Sequence, residues 1–176
     1  MKTIIYIRHG EDENGKHVND QELTESGKHE SYLLAKQLIA TYGIPNIIYY
    51  SPLFRCRQTI KQMKKAINEI VNSSNKDNSI IYKVEPKLGR FFTKKEIKNV
   101  DIRRSTIKNG VIIYEKHEKF KERVKEHLTN ILTDDNKHII WNITHALVFL
   151  NTARITNTPH KEHVKSSDFI IIKTDL

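Results

Sequence analysis

Short apolar runs alternate along this chain with longer segments in which apolar positions recur every three or four residues. The first run, Ile4-Ile5-Tyr6-Ile7, breaks abruptly into Arg8-His9-Gly10-Glu11 and predicts a buried strand. A polar loop spans Asp12 to Asp20. From Leu23-Thr24 onward, Tyr32, Ala35, Leu38, Ile39 and Tyr42 share one helical face, and Gly43 and Pro45 end that helix. Asn46-Ile47-Ile48-Tyr49-Tyr50 predicts a second buried strand. Ser51-Pro52 predicts the next helix start, with serine accepting free amides and proline at the first helical position, and the helix runs to about Val71. A polar loop covers Asn72 to Ser79, and Ile80 to Val84 predicts a third strand. The stretch from Pro86 to Gly110 has the weakest pattern and suggests one short helix among irregular segments. From Lys116, the positions Phe120, Val124, Leu128 and Leu132 step by four and predict an amphipathic helix. His138 to Ile143 predicts a fourth core strand, a helix starts near His145, and Phe169-Ile170-Ile171-Ile172 closes the sheet.

Strands that alternate with helices predict a three-layer α/β/α sandwich around a largely parallel sheet. The chain shows no internal repeat and no linker, and its 176 residues suit one core, so a single domain over residues 1–176 is expected.

Composition sharpens this picture in two respects. The formal charge of +9 gives a field that attracts anions: phosphorylated metabolites, nucleic acid or acidic lipid. The cations are spread along the chain (Lys61, Lys64 and Lys65 on one helix; Lys94, Lys95, Lys98, Arg103 and Arg104 beyond it). No row of aromatics accompanies them, so a nucleic-acid stacking platform is not indicated and solvated helix faces account for most of them. No apolar run approaches the roughly 18 residues of a membrane span. The chain enters its first strand at once, so no signal peptide is expected. Cys56 is the single cysteine, which excludes an intramolecular disulfide and permits a reducing compartment. Its apolar helical setting predicts a buried structural thiol, and the expected location is cytoplasmic.

Three predicted strand ends carry residues suited to phosphate. The first offers Arg8 and His9. The second offers Ser51-Pro52-Leu53-Phe54-Arg55-Cys56-Arg57-Gln58-Thr59, with Arg55 in the first helical turn. The fourth offers Thr144-His145 at a helix start. In a parallel sheet these C-terminal ends lie along one edge, so residues distant in sequence can converge on one pocket. Free amides at the helix starts near Pro52 and Ala146 would add anion-binding capacity.

With "RHGE", "LTESG", "SPLFRCRQT" and a late "TH" before an apolar helix, the chain resembles the histidine phosphatase, or phosphoglycerate mutase-like, superfamily. The resemblance runs in order over nearly the whole chain and includes the "FKERV" helix at Phe120 to Val124. It implies a phosphoglycerate mutase-like fold and a phosphatase acting on a small phosphorylated substrate or a phosphoprotein. His9 would be the nucleophile that takes the phosphoryl group, with Arg8, Arg55 and His145 clamping its oxygens. Neither cofactor nor metal is expected, because the arginines supply the positive charge. Physical chemistry agrees with these roles: a neutral imidazole attacks phosphorus, and neighbouring guanidiniums disfavour its protonation while binding oxygens as planar forks. A phosphate-binding relative without catalysis, serving as an interaction module, is the alternative. A mutase fits less well, because the family's mutases resemble longer chains with extra segments that enclose the substrate.

The chain departs from the family pattern at three places. A segment like "pxLxE" often supplies a catalytic glutamate after the third strand, but Glu85-Pro86-Lys87-Leu88-Gly89-Arg90 puts Arg90 there. Another branch carries an aspartate directly after the second histidine, where this chain has Ala146. By proximity in sequence, Glu11, Glu85 and Glu96 are the candidate proton donors. The family's phosphate-contacting asparagine lies six residues past the nucleophile; that position is Gly15, and Asn14, one residue early, is the candidate substrate-binding residue. Without a general acid, good leaving groups such as the nitrogen of a phosphohistidine would be favoured. Arg90 would favour a substrate with more than one anionic group. The sequence leaves the oligomeric state open.

Overall fold

The computed structural model describes residues 1–13, 21–74, 79–92 and 115–174. In chain order it forms β1 (Lys2–Arg8), α1 (Glu25–Tyr42), β2 (Ile47–Tyr50), α2 (Phe54–Ser74), β3 (Ile81–Val84), a 3₁₀ turn (Pro86–Leu88), α3 (His117–Leu132), β4 (Ile139–Thr144), α4 (Ala146–Ile155) and β5 (Phe169–Thr174). The strands form one sheet in the order β3-β2-β4-β1-β5. The first four strands run parallel, and β5 joins β1 antiparallel at the edge.

The two-residue period of the strands divides the core. Ile5, Ile7, Ile48, Trp141 and Ile143 point to one face and pack with Leu34, Ala35 and Leu38 of α1 and Cys56, Ile60 and Met63 of α2. Ile4, Tyr6, Ile47, Tyr49 and Ile140 point to the other, against Phe120, Val124 and Leu128 of α3 and Val148 and Phe149 of α4. Helices therefore cover both faces, and the architecture is the expected α/β/α sandwich. Cys56 is buried in this core, as a structural thiol would be.

Local signals explain most boundaries. Thr24 caps α1, its hydroxyl accepting the Gly27 amide at 2.9 Å. Gly43 ends the helix with φ of +89°, a region that favours glycine, and its amide donates to Ile39 O at 2.9 Å. The start of α2 corrects the expectation. It begins at Phe54, not at Ser51-Pro52, because the Ser51 amide extends the sheet by donating to Ile143 O at 2.9 Å. Pro52 then lies in a bend, and the Leu53 carbonyl accepts the first helical amides, from Cys56 and Arg57. Among the described residues, no helix is long and apolar enough to cross a membrane.

Register positions the functional edge. Arg8 of β1 pairs with Thr144 of β4, and Ile143 of β4 pairs with Tyr50 of β2, so three strands end level with one another.

Candidate active site

The residues that follow these level ends are His9, His145 and Ser51, side by side. The His9 amide donates to Thr144 O at 3.0 Å, which holds the first and fourth strand ends together past the last ladder pair. The His9 and His145 rings lie 5.3 Å apart between centroids. Beside them, Arg8, Asp12, Arg55 and Arg90 complete a cavity of about 300 Å³, closed by Ala146 and Leu147 at the start of α4. That helix has no side-chain cap, so its first-turn amides, at the cavity wall, are unclaimed by a capping side chain.

Arg8, His9, Arg55 and His145 are therefore brought together, as the sequence leads one to expect. Asn14 and Glu96 lie outside the described residues. Glu11 and Glu85 are not at the cavity. The Glu11 carboxylate accepts the Thr24 hydroxyl at 2.8 Å, at the head of α1. Glu85 accepts the Lys87 amide at 2.9 Å and faces His127 Nδ1 at 3.7 Å.

Hydrogen bonds fix the tautomers of both imidazoles. His9 Nδ1 lies 2.8 Å from Gly10 O, a carbonyl that can only accept. Nδ1 therefore carries the proton, and Nε2 is left unprotonated. His145 is arranged the opposite way. Arg55 Nε and one terminal nitrogen approach its Nδ1 at 3.4 and 3.3 Å, and since guanidinium only donates, Nδ1 accepts. Its Nε2–H then donates to Ser51 Oγ at 2.8 Å. His145 thus directs its one proton to Ser51 and its Nδ1 lone pair to Arg55.

Burial, and then the charge of Arg55, hold the His9 imidazole well below its ordinary proton affinity; Arg8 and Arg90 add to this, against the Gly10 hydrogen bond. His145 is pushed down in the same way, first by burial and then by Arg55. Both rings are consequently neutral at neutral pH. The cations that depress them also line the cavity, so an anion drawn into it would meet three guanidiniums beside an unprotonated imidazole nitrogen.

Side chains outside the cavity hold its walls. Thr59, one turn after Arg55 on α2, accepts the Gly10 amide at 3.0 Å and donates to Arg55 O at 2.9 Å, tying the loop after His9 to the helix that bears Arg55. Arg90 follows the 3₁₀ turn, which three donors secure. Thr144 Oγ1 donates to Leu88 O at 2.8 Å, and Arg123 donates to Lys87 O and to Gly89 O, the latter at 2.9 Å. Buried Arg123 is in turn paired with Glu115 at 2.7 Å. Asp12 is the cavity residue that sequence reasoning misses; its carboxylate lies 3.8 Å from Arg55 Nη1. The available signal was its place three residues after His9 on the same outgoing segment.

The family model for the histidine phosphatase superfamily (branch 1) matches residues 4–163. None of the curated proteins matches the chain. Among solved structures, the chain is similar to an Escherichia coli K-12 protein proposed to be an alpha-ribazole-5'-P phosphatase, at a TM-score of 0.68 and 16% identity, covering 99% of this chain and 92% of that one. It is similar to the protein histidine phosphatase SixA complexed with tungstate, at a TM-score of 0.64 and 18% identity, covering 98% and 88%. It is also similar to the ecdysone phosphate phosphatase of Bombix mori in complex with tungstate, at a TM-score of 0.63 and 16% identity, covering 99% and 90%. At such identities these structures speak for the fold, and the family match spans most of the chain, including His9, Arg55 and His145: the chain belongs to the histidine phosphatase superfamily, branch 1.

Proposed function

We propose that this protein is a phosphoric monoester hydrolase that works through a phosphohistidine on His9. The observation that carries this reading is the hydrogen bond from His9 Nδ1 to Gly10 O, which leaves Nε2 unprotonated in a cavity lined by three guanidiniums. Nε2 attacks phosphorus, the bond to the leaving oxygen breaks, and the alcohol departs with a proton. Water then attacks the phosphohistidine, the P–N bond breaks with its electron pair returning to Nε2, and inorganic phosphate leaves. Arg8 and Arg55 meet the charge on the transferring oxygens, so the step needs no metal. The first-turn amides of α4 complete the cradle.

Arg90 supports a narrower reading. A phosphate dianion is matched by Arg8 and Arg55, and a third guanidinium suits a substrate with a second anionic group, such as a carboxylate or another phosphate. A small phosphorylated molecule of that kind, met in the cytoplasm, is the proposed substrate. Two of the similar structures hold tungstate, a tetrahedral oxyanion, which accords with phosphate binding here.

The same Arg90 occupies the place of the family's acidic residue, and that favours one alternative: a phosphate-binding relative that does not turn substrate over. Turnover of p-nitrophenyl phosphate separates the two. Activity that disappears in His9→Ala, with an acid-labile phosphoenzyme trapped in wild type, is the expected result. Phosphate binding without turnover would establish the binding relative, and turnover that survives His9→Ala would overturn both.

A further inference from the structure

We infer that Asp12 is the proton donor of this site, replacing the glutamate that the chain lacks at Arg90; the inference rests on the phosphatase reading above. Asp12 is the one carboxylate, among the described residues, that lines the cavity. Glu11 is engaged with Thr24 outside the cavity, and Glu85 with Lys87 and His127.

Its placement is built in. The Asp12 backbone forms an isolated antiparallel bridge with Leu23, whose amide donates to Gln58 Oε1 at 2.6 Å on α2. This ties the segment beyond the nucleophile to the helix that carries Arg55. The side chain is partly exposed, at 20%, so it stands at the mouth and not under the floor. At 3.8 Å from Arg55 Nη1, the carboxylate shares the guanidinium that would clamp the phosphoryl oxygens.

That proximity has a chemical consequence. A carboxylate and a phosphate dianion drawn to the same guanidinium repel each other, and the pair is relieved by holding one proton between them. The groups facing that proton are Arg8, Arg55 and Arg90, which only donate, and His9 and His145, whose protons are fixed on Gly10 O and Ser51. Among the described residues, Asp12 is thus the group able to pass the shared proton to the leaving oxygen. As His9 Nε2 bonds to phosphorus and the ester P–O bond breaks, the Asp12 proton moves to the departing oxygen, giving a neutral alcohol. In the second step the Asp12 carboxylate takes a proton from the attacking water as the P–N bond breaks, and the carboxyl group is restored.

Leaving-group dependence tests this. The rates of p-nitrophenyl phosphate, whose leaving group departs unaided, and of an alkyl phosphate, whose leaving group needs a proton, are compared in wild type, Asp12→Asn and Asp12→Glu. The expected result is that Asp12→Asn lowers kcat for the alkyl ester by about a hundred- to ten-thousand-fold and for the aryl ester by less than about ten-fold. Asp12→Glu restores part of the alkyl rate. Equal loss on both esters, or a gain on both, would overturn the assignment and make Asp12 a counter-charge to Arg55; the phosphatase reading would stand. Wild type that turns over neither ester would overturn the phosphatase reading, and the assignment with it. If Asp12→Asn does not fold, Asp12→Ser carries the same comparison.

Discussion

Gly10 and Gly27 meet backbone to backbone: a Cβ built on Gly10 would lie 2.5 Å from Gly27 O, and one built on Gly27 would lie 2.2 Å from Glu11 O. The loop that leaves His9 is therefore pressed against the first turn of α1 with no room for a methyl group. The atoms facing Gly27 are Glu11 backbone, which cannot swing aside, while Gly10 also faces Ser31 Oγ at 2.6 Å.

Gly27→Ala follows directly. The substitution forces the loop and the helix apart, an overpacking change that costs about 1–3 kcal/mol. Because the same loop supplies the Gly10 carbonyl that fixes the His9 tautomer, the expected outcome is a lower urea midpoint together with a lower kcat on p-nitrophenyl phosphate. A fully active, fully stable Gly27→Ala protein would show that the contact is dispensable.

The two buried imidazoles make stability depend on pH. Unfolded, each takes up a proton near pH 6.5; folded, burial and Arg55 delay protonation to markedly lower pH. Between those values the unfolded chain holds more protons, so acidification favours it. Stability is then full above about pH 6.5 and falls below it, by at most about 1.4 kcal/mol per pH unit for each histidine. Urea unfolding followed from neutral pH downward should show this loss, and His9→Gln should reduce its slope. An unchanged slope in the variant would place the pH dependence elsewhere.

Sequence legibility differed between the scaffold and the site. The strands and helices were readable because apolar periodicity marks burial directly: Ile4 to Ile7 has both faces covered, and Phe120, Val124 and Leu128 form one stripe. Arg8, His9, Arg55 and His145 were readable because they sit at the ends of such elements. What lay hidden depended on contacts between segments far apart in the chain. Ser51 looks like a helix cap, but the sheet claims its amide and His145 its hydroxyl. Asp12 looks like part of a polar loop until the bridge to Leu23 places it at the cavity. The direction of the His145 hydrogen bonds, toward Arg55 and Ser51, has no local signature at all.

Lys2 is a further case that no pattern discloses. It is fully buried in β1, and its ammonium donates to Ile131 O at 3.0 Å, Leu132 O at 2.7 Å and Asp134 O at 2.9 Å. Ile131 O and Leu132 O are last-turn carbonyls of α3, where a cation is also favoured by the helix dipole, and Asp134 O, just past the helix, also accepts the Lys137 amide at 3.4 Å. Lys2→Met keeps much of the volume but takes the ammonium donor away from all three carbonyls, two of them in the last turn of α3. A loss of about 2–4 kcal/mol in urea unfolding is expected, given the strength of hydrogen bonds to charged groups. The cavity is built at the other end of β1, so kcat at a temperature where the variant is folded should match wild type.

Arg123 offers a test of substrate choice separate from the chemistry. It touches nothing in the cavity; it donates to Lys87 O and Gly89 O and so fixes the turn from which Arg90 reaches the site. In Arg123→Gln the turn loses its bidentate anchor, and Arg90 loses its fixed place. If Arg90 binds a second anionic group, KM for a phosphate ester bearing a carboxylate should rise about ten-fold, the weight of one charge-assisted hydrogen bond. The kcat on p-nitrophenyl phosphate, which has no second anion, should change little, because Arg8, His9 and Arg55 stay in place. Arg90→Gln should reproduce the KM effect, and in the double variant the two effects should not add, since one acts through the other. Additive losses, or a fall in kcat on both esters, would instead mean that Arg123 supports the fold around the site without setting its specificity.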